Sequence, residues 1–177
     1  VESVGRIFVA IGFPAEVRVH LADRLAHLPI PIVPAANLHL TLRFLGDIDP
    51  VGLDRLLAAL DESRWPAPFP LRLGGLWAFP KPAKATVVWI DAVGDRLEEL
   101  AETVEDACEE AGLGREERPF RPHVTVSRLR PPADVRALIA GSDPFELSTP
   151  VDEIVVVRSH LGGSAPRYEA VERFALG

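Results

Sequence analysis

The chain has 177 residues, 47% of them hydrophobic and 25% charged, a balance that excludes disorder over most of its length. A fold of this size hides roughly 70% of its unfolded surface, so it needs no disulfide or metal to stand, and its one cysteine, Cys108, excludes a disulfide framework and a multi-cysteine zinc site. A net charge of −7 argues against nonspecific binding along duplex nucleic acid.

Charge is uneven, however. Arg115, Arg118, Arg121, Arg128 and Arg130 face only Glu116 and Glu117 over residues 115–130, a local +3. No run of 18 apolar residues exists, so no membrane span is expected. The start lacks a basic-then-apolar signal pattern, which makes the cytoplasm the expected compartment. With no methionine in the sequence, the chain is expected to lack its initiator or to start at a valine codon.

Gly5–Phe13 is an apolar β-branched run and reads as a buried strand. Residues 15–28 carry Val17, Leu21, Leu25 and Leu28 at helical spacing. Leu38–Leu45 alternates with period two, a strand ending at Gly46. Pro50–Glu62 is a second amphipathic helix, closed by Pro66, Pro68 and Pro70. Leu71–Phe79 and Ala85–Val93 are strands around a proline- and lysine-rich turn. Asp95–Gly112 is the longest helix, with Leu97, Leu100, Val104, Ala107, Cys108 and Ala111 on one stripe. His123–Leu129 alternates again as a strand, Pro131–Ala140 reads as a short helix, and Phe145–Leu147 as a short strand. Asp152–Leu161 and Arg167–Leu176 form a closing hairpin around Gly162–Pro166.

Each half thus reads strand–helix–strand–helix–strand, with the extra hairpin in the second. The interval from His39 to His123 gives a weak internal repeat of 84 residues. The expected fold is α+β: two pseudo-symmetric lobes, each an antiparallel sheet with helices on its outer face, around a central cleft. Residues 1–177 are read as one bilobal domain, and a monomer is expected.

Two segments share one pattern, His39-Leu40-Thr41-Leu42 and His123-Val124-Thr125-Val126. On a strand, residues i and i+2 point the same way. Each histidine therefore shares a face with its threonine while the apolar residues face the core. Five histidines and five threonines in the chain would rarely yield two such triplets by chance, and rarer still at matching places in a repeat.

Threonine is a poor metal ligand and no carboxylate adjoins either histidine, so neither a metal nor another cofactor is expected. No activated nucleophile is evident, since Cys108 lies on an apolar helix stripe. Two histidines titrating near neutrality suit paired acid–base catalysis. One takes a proton from attacking water and the other gives one to a leaving oxygen. The threonine hydroxyls hydrogen-bond non-bridging phosphate oxygens. That chemistry fits a phosphodiester, especially a strained cyclic one.

In these motifs the chain resembles the 2H phosphoesterase superfamily. The flanking segments Arg6–Ile11, Asn37–Gly46, Thr86–Ile90, Pro119–Arg128 and Val157–Tyr168 make it similar to the RNA 2′,3′-cyclic phosphodiesterase family, also called bacterial and archaeal 2′-5′ RNA ligases. The resemblance implies a two-lobed α+β fold with no metal requirement. It implies opening of a terminal 2′,3′-cyclic phosphate to a 2′-phosphate, and in some members reversible 2′-5′ ligation. The partners implied are RNA 3′ ends or nucleotides bearing a 2′,3′-cyclic phosphate.

By the same resemblance His39 and His123 match the catalytic histidines, Thr41 and Thr125 the phosphate-binding hydroxyls, and Arg128 an arginine that contacts the nucleotide. Phe44 and Arg128, each five residues past a histidine, would clasp a base between them. Strict alternation opposes this, because it turns Phe44 and Arg128 away from the histidines. It puts Arg43 on the face of His39, where it would meet an RNA phosphate or remain a solvated strand charge. Arg121 and Arg130 would widen a positive funnel. Trp77 and Trp89 read as strand packing, with Trp89 at the cleft border as the alternative. His20 and His27 read as surface residues, Gly162-Gly163-Ser164 as a hairpin turn, and Glu98, Glu102, Glu105 and Glu109 as a solvated helix face.

Competing expectations are a related phosphodiesterase acting on 2′-5′ oligonucleotides or small cyclic nucleotides, and a nucleotide-binding module without turnover.

Overall fold

The computed structural model describes residues 4–142 and 146–177. The strands are β1 (Arg6–Gly12), β2 (His39–Asp47), β3 (Phe69–Phe79), β4 (Ala85–Val93), β5 (His123–Ala133), β6 (Leu147–Val151), β7 (Glu153–His160) and β8 (Arg167–Ala175). The helices are α1 (Ala15–Leu25), α2 (Pro50–Glu62), α3 (Leu97–Glu110) and α4 (Arg136–Ala140), with 3₁₀ turns at Ala35–Asn37 and Pro82–Lys84. Among the described residues no helix is long and apolar enough to cross a membrane.

The strands form two four-stranded antiparallel sheets, ordered β2-β1-β7-β8 and β5-β4-β3-β6. The α+β architecture and its pairing of equivalent strands match the expected repeat, but the chain exchanges elements between lobes. β3 from the first half joins the second sheet, and the closing hairpin β7–β8 returns to the first. One contiguous core joins both sheets and three helices, from Ile7, Val9 and Leu40 through Leu56 and Val104 to Val124 and Ile154. Each of those side chains contributes about 1.5–3 kcal/mol by leaving water. A slip of one residue in β2 or β5 would forfeit that burial, so the core fixes which way the intervening histidines and threonines point.

Two readings need correction. Pro131–Ala140 is not a helix throughout. β5 runs on to Ala133, because a residue before proline avoids helical backbone and Arg130 and Pro131 both precede one. Only the five residues of α4 remain helical. The first helix ends at Leu25, short of Leu28, and Leu28 N–H donates to Leu25 C=O in the turn that closes it. Phe145, expected in a short strand, lies outside the described residues, while β6 starts at Leu147.

Register irregularities decide what faces the cleft. Between β1 and β2, Val9 pairs with Arg43 but Ala10 with Thr41, leaving Leu42 as an extra residue. Between β4 and β5, Val88 pairs with Ser127 but Trp89 with Thr125, leaving Val126 extra. Both bulges fall three residues past a motif histidine. A bulge breaks the strict two-residue alternation, so Leu42–Arg43 and Val126–Ser127 are consecutive buried pairs, and Phe44 and Arg128 come out exposed. Val33 N–H donates to the Val126 carbonyl at 2.8 Å, and Ser127 Oγ donates to Pro31 C=O, so the bulged segment of β5 is tied to the connection that precedes β2.

Candidate active site

His39 opens β2 and His123 opens β5, and each ring is anchored in the same manner. The Nδ1 of His39 lies 2.7 Å from the carbonyl of Asn37, and that of His123 lies 2.6 Å from the carbonyl of Arg121. A carbonyl only accepts, so Nδ1 carries the hydrogen in both rings. The Nε2 atoms are left as the ones that take up or release a proton. In His39 the Thr41 hydroxyl, 3.0 Å away, donates to the unprotonated Nε2.

His39 and His123 line one cavity of about 420 Å³ with Thr41, Thr125, Phe44 and Arg128, bounded by Arg6, Tyr168 and the Leu161–Pro166 loop. Four side chains of the two motifs and both residues of the suggested base clasp are therefore brought together. Phe44 is 56% exposed and reaches the cavity because the Leu42 bulge reverses its side. Parity alone turns it to the core.

The same bulge removes Arg43. It is only 9% exposed, on the core face, with Nη1 at 3.1 Å from Glu105 Oε2 and Nη2 donating to the Gly114 carbonyl at 3.4 Å. The expectation that Arg43 shares the face of His39 is corrected: it staples β2 to α3. Arg43→Ala would leave Glu105 half of a broken inward ion pair, and a loss of about 3 kcal/mol is expected in denaturant unfolding, with KM for a nucleotide substrate unchanged. A raised KM at unaltered stability would instead restore a substrate role.

Other charges sort themselves by partner. Arg115 pairs with Glu102, Asp106 and Glu109 on α3, and Arg118 with Glu116, which offsets part of the local positive charge of residues 115–130. The α3 glutamates read as a solvated face are thus partly neutralised. Arg128 and Arg130 are exposed on β5 and line the cavity.

Three neighbours of His39 are site residues that sequence reasoning misses. Phe8 stacks on its ring at 4.9 Å, and Tyr168 meets it edge-on at 5.3 Å. Asn37, buried, supplies the anchoring carbonyl and donates from Nδ2 to Pro166 C=O at 2.9 Å, holding the β7–β8 loop over the cleft. Asn37 lies two residues before the motif histidine and Tyr168 begins the last strand, but no period marks either.

Burial among these rings lowers the His39 pKa from 6.5. Its bond to the Asn37 carbonyl opposes the shift, and the Arg128 and His123 charges reinforce it. Burial raises the Tyr168 pKa, which keeps its hydroxyl protonated, against the pull of Arg128. On the other side Trp89 meets the His123 ring edge-on at 5.7 Å.

Comparison with known proteins bears on the whole chain. A "2′-5′ RNA ligase superfamily" model matches residues 13–163. An "RNA 2′,3′-cyclic phosphodiesterase" of Thermus thermophilus is 34% identical, covering 97% of this chain and 90% of its own length. One of Aeropyrum pernix is 33% identical over 85% of this chain and 90% of its own. Among solved structures, a Thermus thermophilus protein superposes with a TM-score of 0.81 at 33% identity, covering 97% of each chain. Escherichia coli LigT complexed with 3′-AMP gives 0.78 at 30% identity and 99% of each. With two bulged strands presenting matched His-x-Thr pairs in one cleft, and with relatives alike end to end, this chain belongs to the 2′-5′ RNA ligase superfamily.

Proposed function

We propose that the chain hydrolyses the 2′,3′-cyclic phosphate of RNA 3′ ends to a 2′-phosphate, with His39 and His123 as the proton-transfer pair. The observation that carries the reading is the matched anchoring of the two rings: each Nδ1 is committed to a carbonyl, so each Nε2 is left for proton transfer in one cavity that Thr41 and Thr125 also line. A base Nε2 accepts a proton from water as its oxygen bonds to phosphorus. The bond from phosphorus to O3′ breaks, and the second Nε2–H protonates that oxygen. Thr41 and Thr125 donate to the non-bridging oxygens, where charge grows. Phe44 and Arg128 hold the terminal base between an aromatic face and a guanidinium.

The names of the relatives support the substrate class. Replacing water by the 5′-hydroxyl of a second RNA end would give a 2′-5′ linkage by the same proton traffic, which is the ligation we assign to this site. The compartment is proposed to be the cytoplasm, and the working unit a monomer.

The reading is tested by incubating the protein with a 2′,3′-cyclic mononucleotide and identifying the product. A 2′-phosphate is expected, at an undiminished rate in EDTA, because histidines and hydroxyls supply both proton transfer and phosphate contact. A 3′-phosphate would reverse the substrate in the cleft. Loss of turnover in EDTA with restoration by a divalent ion would refute the metal-free mechanism, and binding without turnover would leave a nucleotide-binding module.

A further inference from the structure

The second sheet carries aromatic surface that the site described above does not use. On β3, Gly74 pairs with Asp91 but Leu76 with Ile90, so Gly75 is a third bulge. Its φ of +76° is one that glycine adopts without strain. Leu71, Leu73 and Leu76 face the core, and the bulge turns Trp77 and Phe79 to the opposite face. Trp77 is 56% exposed and Phe79 62%. With Phe44, they are the exposed aromatics among the large hydrophobic residues described.

Cross-strand pairing shows where this face leads. Trp77 pairs with Trp89, and Trp89 with Thr125. Directly paired residues share a side, so the row Trp77–Trp89–Thr125 runs across the sheet to a motif threonine. The two indoles stack with centroids 6.3 Å apart and 26° between planes. The adjacent row is Phe79–Val87–Arg128. The platform is thus continuous with the catalytic cavity and flanked by a cation that lines it. Trp77 sits two strands from Thr125, about 10 Å at the usual strand spacing.

A cross-strand indole pair would also stabilise the sheet, but such a role does not require the outer ring to stay half in water. Exposed aromatic faces beside cations are how single-stranded nucleic acid is held without regard to sequence. A duplex would not offer unstacked bases. The recess that His123 and Phe79 also border carries Glu98, Glu102, Glu105, Glu116 and Glu117 against Arg115, Arg118 and Arg121, a net negative lining that disfavours it as a path for a phosphate backbone.

We infer that the exposed Trp77–Trp89 face of the second sheet is a stacking subsite for the unpaired nucleobase next to the terminal nucleotide, so that the protein prefers single-stranded RNA ends to mononucleotides. This rests on the proposed function, and the experiment separates the two. A trinucleotide and a mononucleotide, each ending in a 2′,3′-cyclic phosphate, are compared in the unaltered protein and in Trp77→Ala and Trp77→Phe. The unaltered protein is expected to favour the trinucleotide by roughly 10-fold in kcat/KM, through KM. Trp77→Ala should erase that preference while mononucleotide turnover stays, and Trp77→Phe should keep most of it.

Quenching of indole fluorescence by a trinucleotide with a 3′-terminal phosphate reads the subsite without turnover, and quenching much weaker by a mononucleotide is the result expected. If neither cyclic substrate is opened but this difference in quenching is seen, the proposed function fails and the subsite stands. If the mononucleotide is opened and the trinucleotide gains nothing in the unaltered protein, the subsite is wrong whatever the variants do. Equal loss on both substrates in a folded Trp77→Ala would assign Trp77 to sheet structure and overturn it too.

Discussion

Replacing either His39 or His123 with alanine is expected to lower turnover of a cyclic nucleotide by at least about 100-fold, the lower end of what a positioned acid or base supplies. The double variant should lose little more than the worse single one, because two groups acting in one proton circuit are not additive. The fold is expected to persist in both, though not to the same degree. His123 is half-buried and meets Trp89 edge-on, with Nδ1 held by the Arg121 carbonyl. His39 stacks on Phe8 and meets Tyr168, so removing its ring should cost about 0.5–1.5 kcal/mol for each of these two aromatic pairs. His39→Gln keeps volume and is the companion variant. Steady-state rates alongside thermal unfolding decide the matter: a folded variant with near-full activity would falsify the two-histidine mechanism.

How much of this was legible in the sequence depends on where alternation holds. Leu40 and Leu42, or Val124 and Val126, bracket a threonine, and the polar pair they leave is visible at once as a shared face. Helix stripes such as Leu53, Leu56 and Leu60 were equally plain. The reading failed at three bulges. Each inserts one residue, and every side chain beyond it changes face. Arg43 went to the core and Phe44 to the cleft at Leu42, Arg128 reached the cavity past Val126, and Trp77 and Phe79 came out past Gly75. Gly75 is the one with a local signal, since a glycine pair inside a strand run marks a bulge. Leu42 and Val126 carry none. The one at Val126 has an indirect signal: read without a bulge, β5 would bury Arg128 on an apolar face.

Topology was legible only up to the repeat. Local periodicity reports neither which sheet a strand joins nor where a hairpin returns, and β3 and β7–β8 changed lobes for that reason. The surroundings of His39 were hidden likewise. Phe8, Asn37 and Tyr168 come from three separate stretches of chain and meet only once β1, β2 and β8 are gathered into one sheet, with the β7–β8 loop tied to Asn37.

The division of labour between the histidines yields the last prediction. Attack in line with the departing oxygen puts nucleophile and leaving group on opposite sides of phosphorus, and a pseudo-twofold cleft offers one histidine per side. We assign His123 as the base for water and His39 as the acid for O3′, following the family resemblance. Burial bears on this directly. In the free protein the lowered pKa of His39 leaves it largely unprotonated near neutrality, where an acid must hold its proton. A bound phosphodiester anion beside Nε2 reverses that, because an opposite charge favours the protonated ring. Two results follow. The alkaline limb of kcat/KM, which reports the free protein, should begin below pH 6.5, while that of kcat, which reports the complex, should lie at higher pH. A substrate whose 3′ leaving atom needs no protonation should recover much of the activity of His39→Ala and none of that of His123→Ala. Rescue of His123→Ala alone would exchange the two roles. Coincident alkaline limbs would mean that bound phosphate does not charge His39, and it would then be the better base.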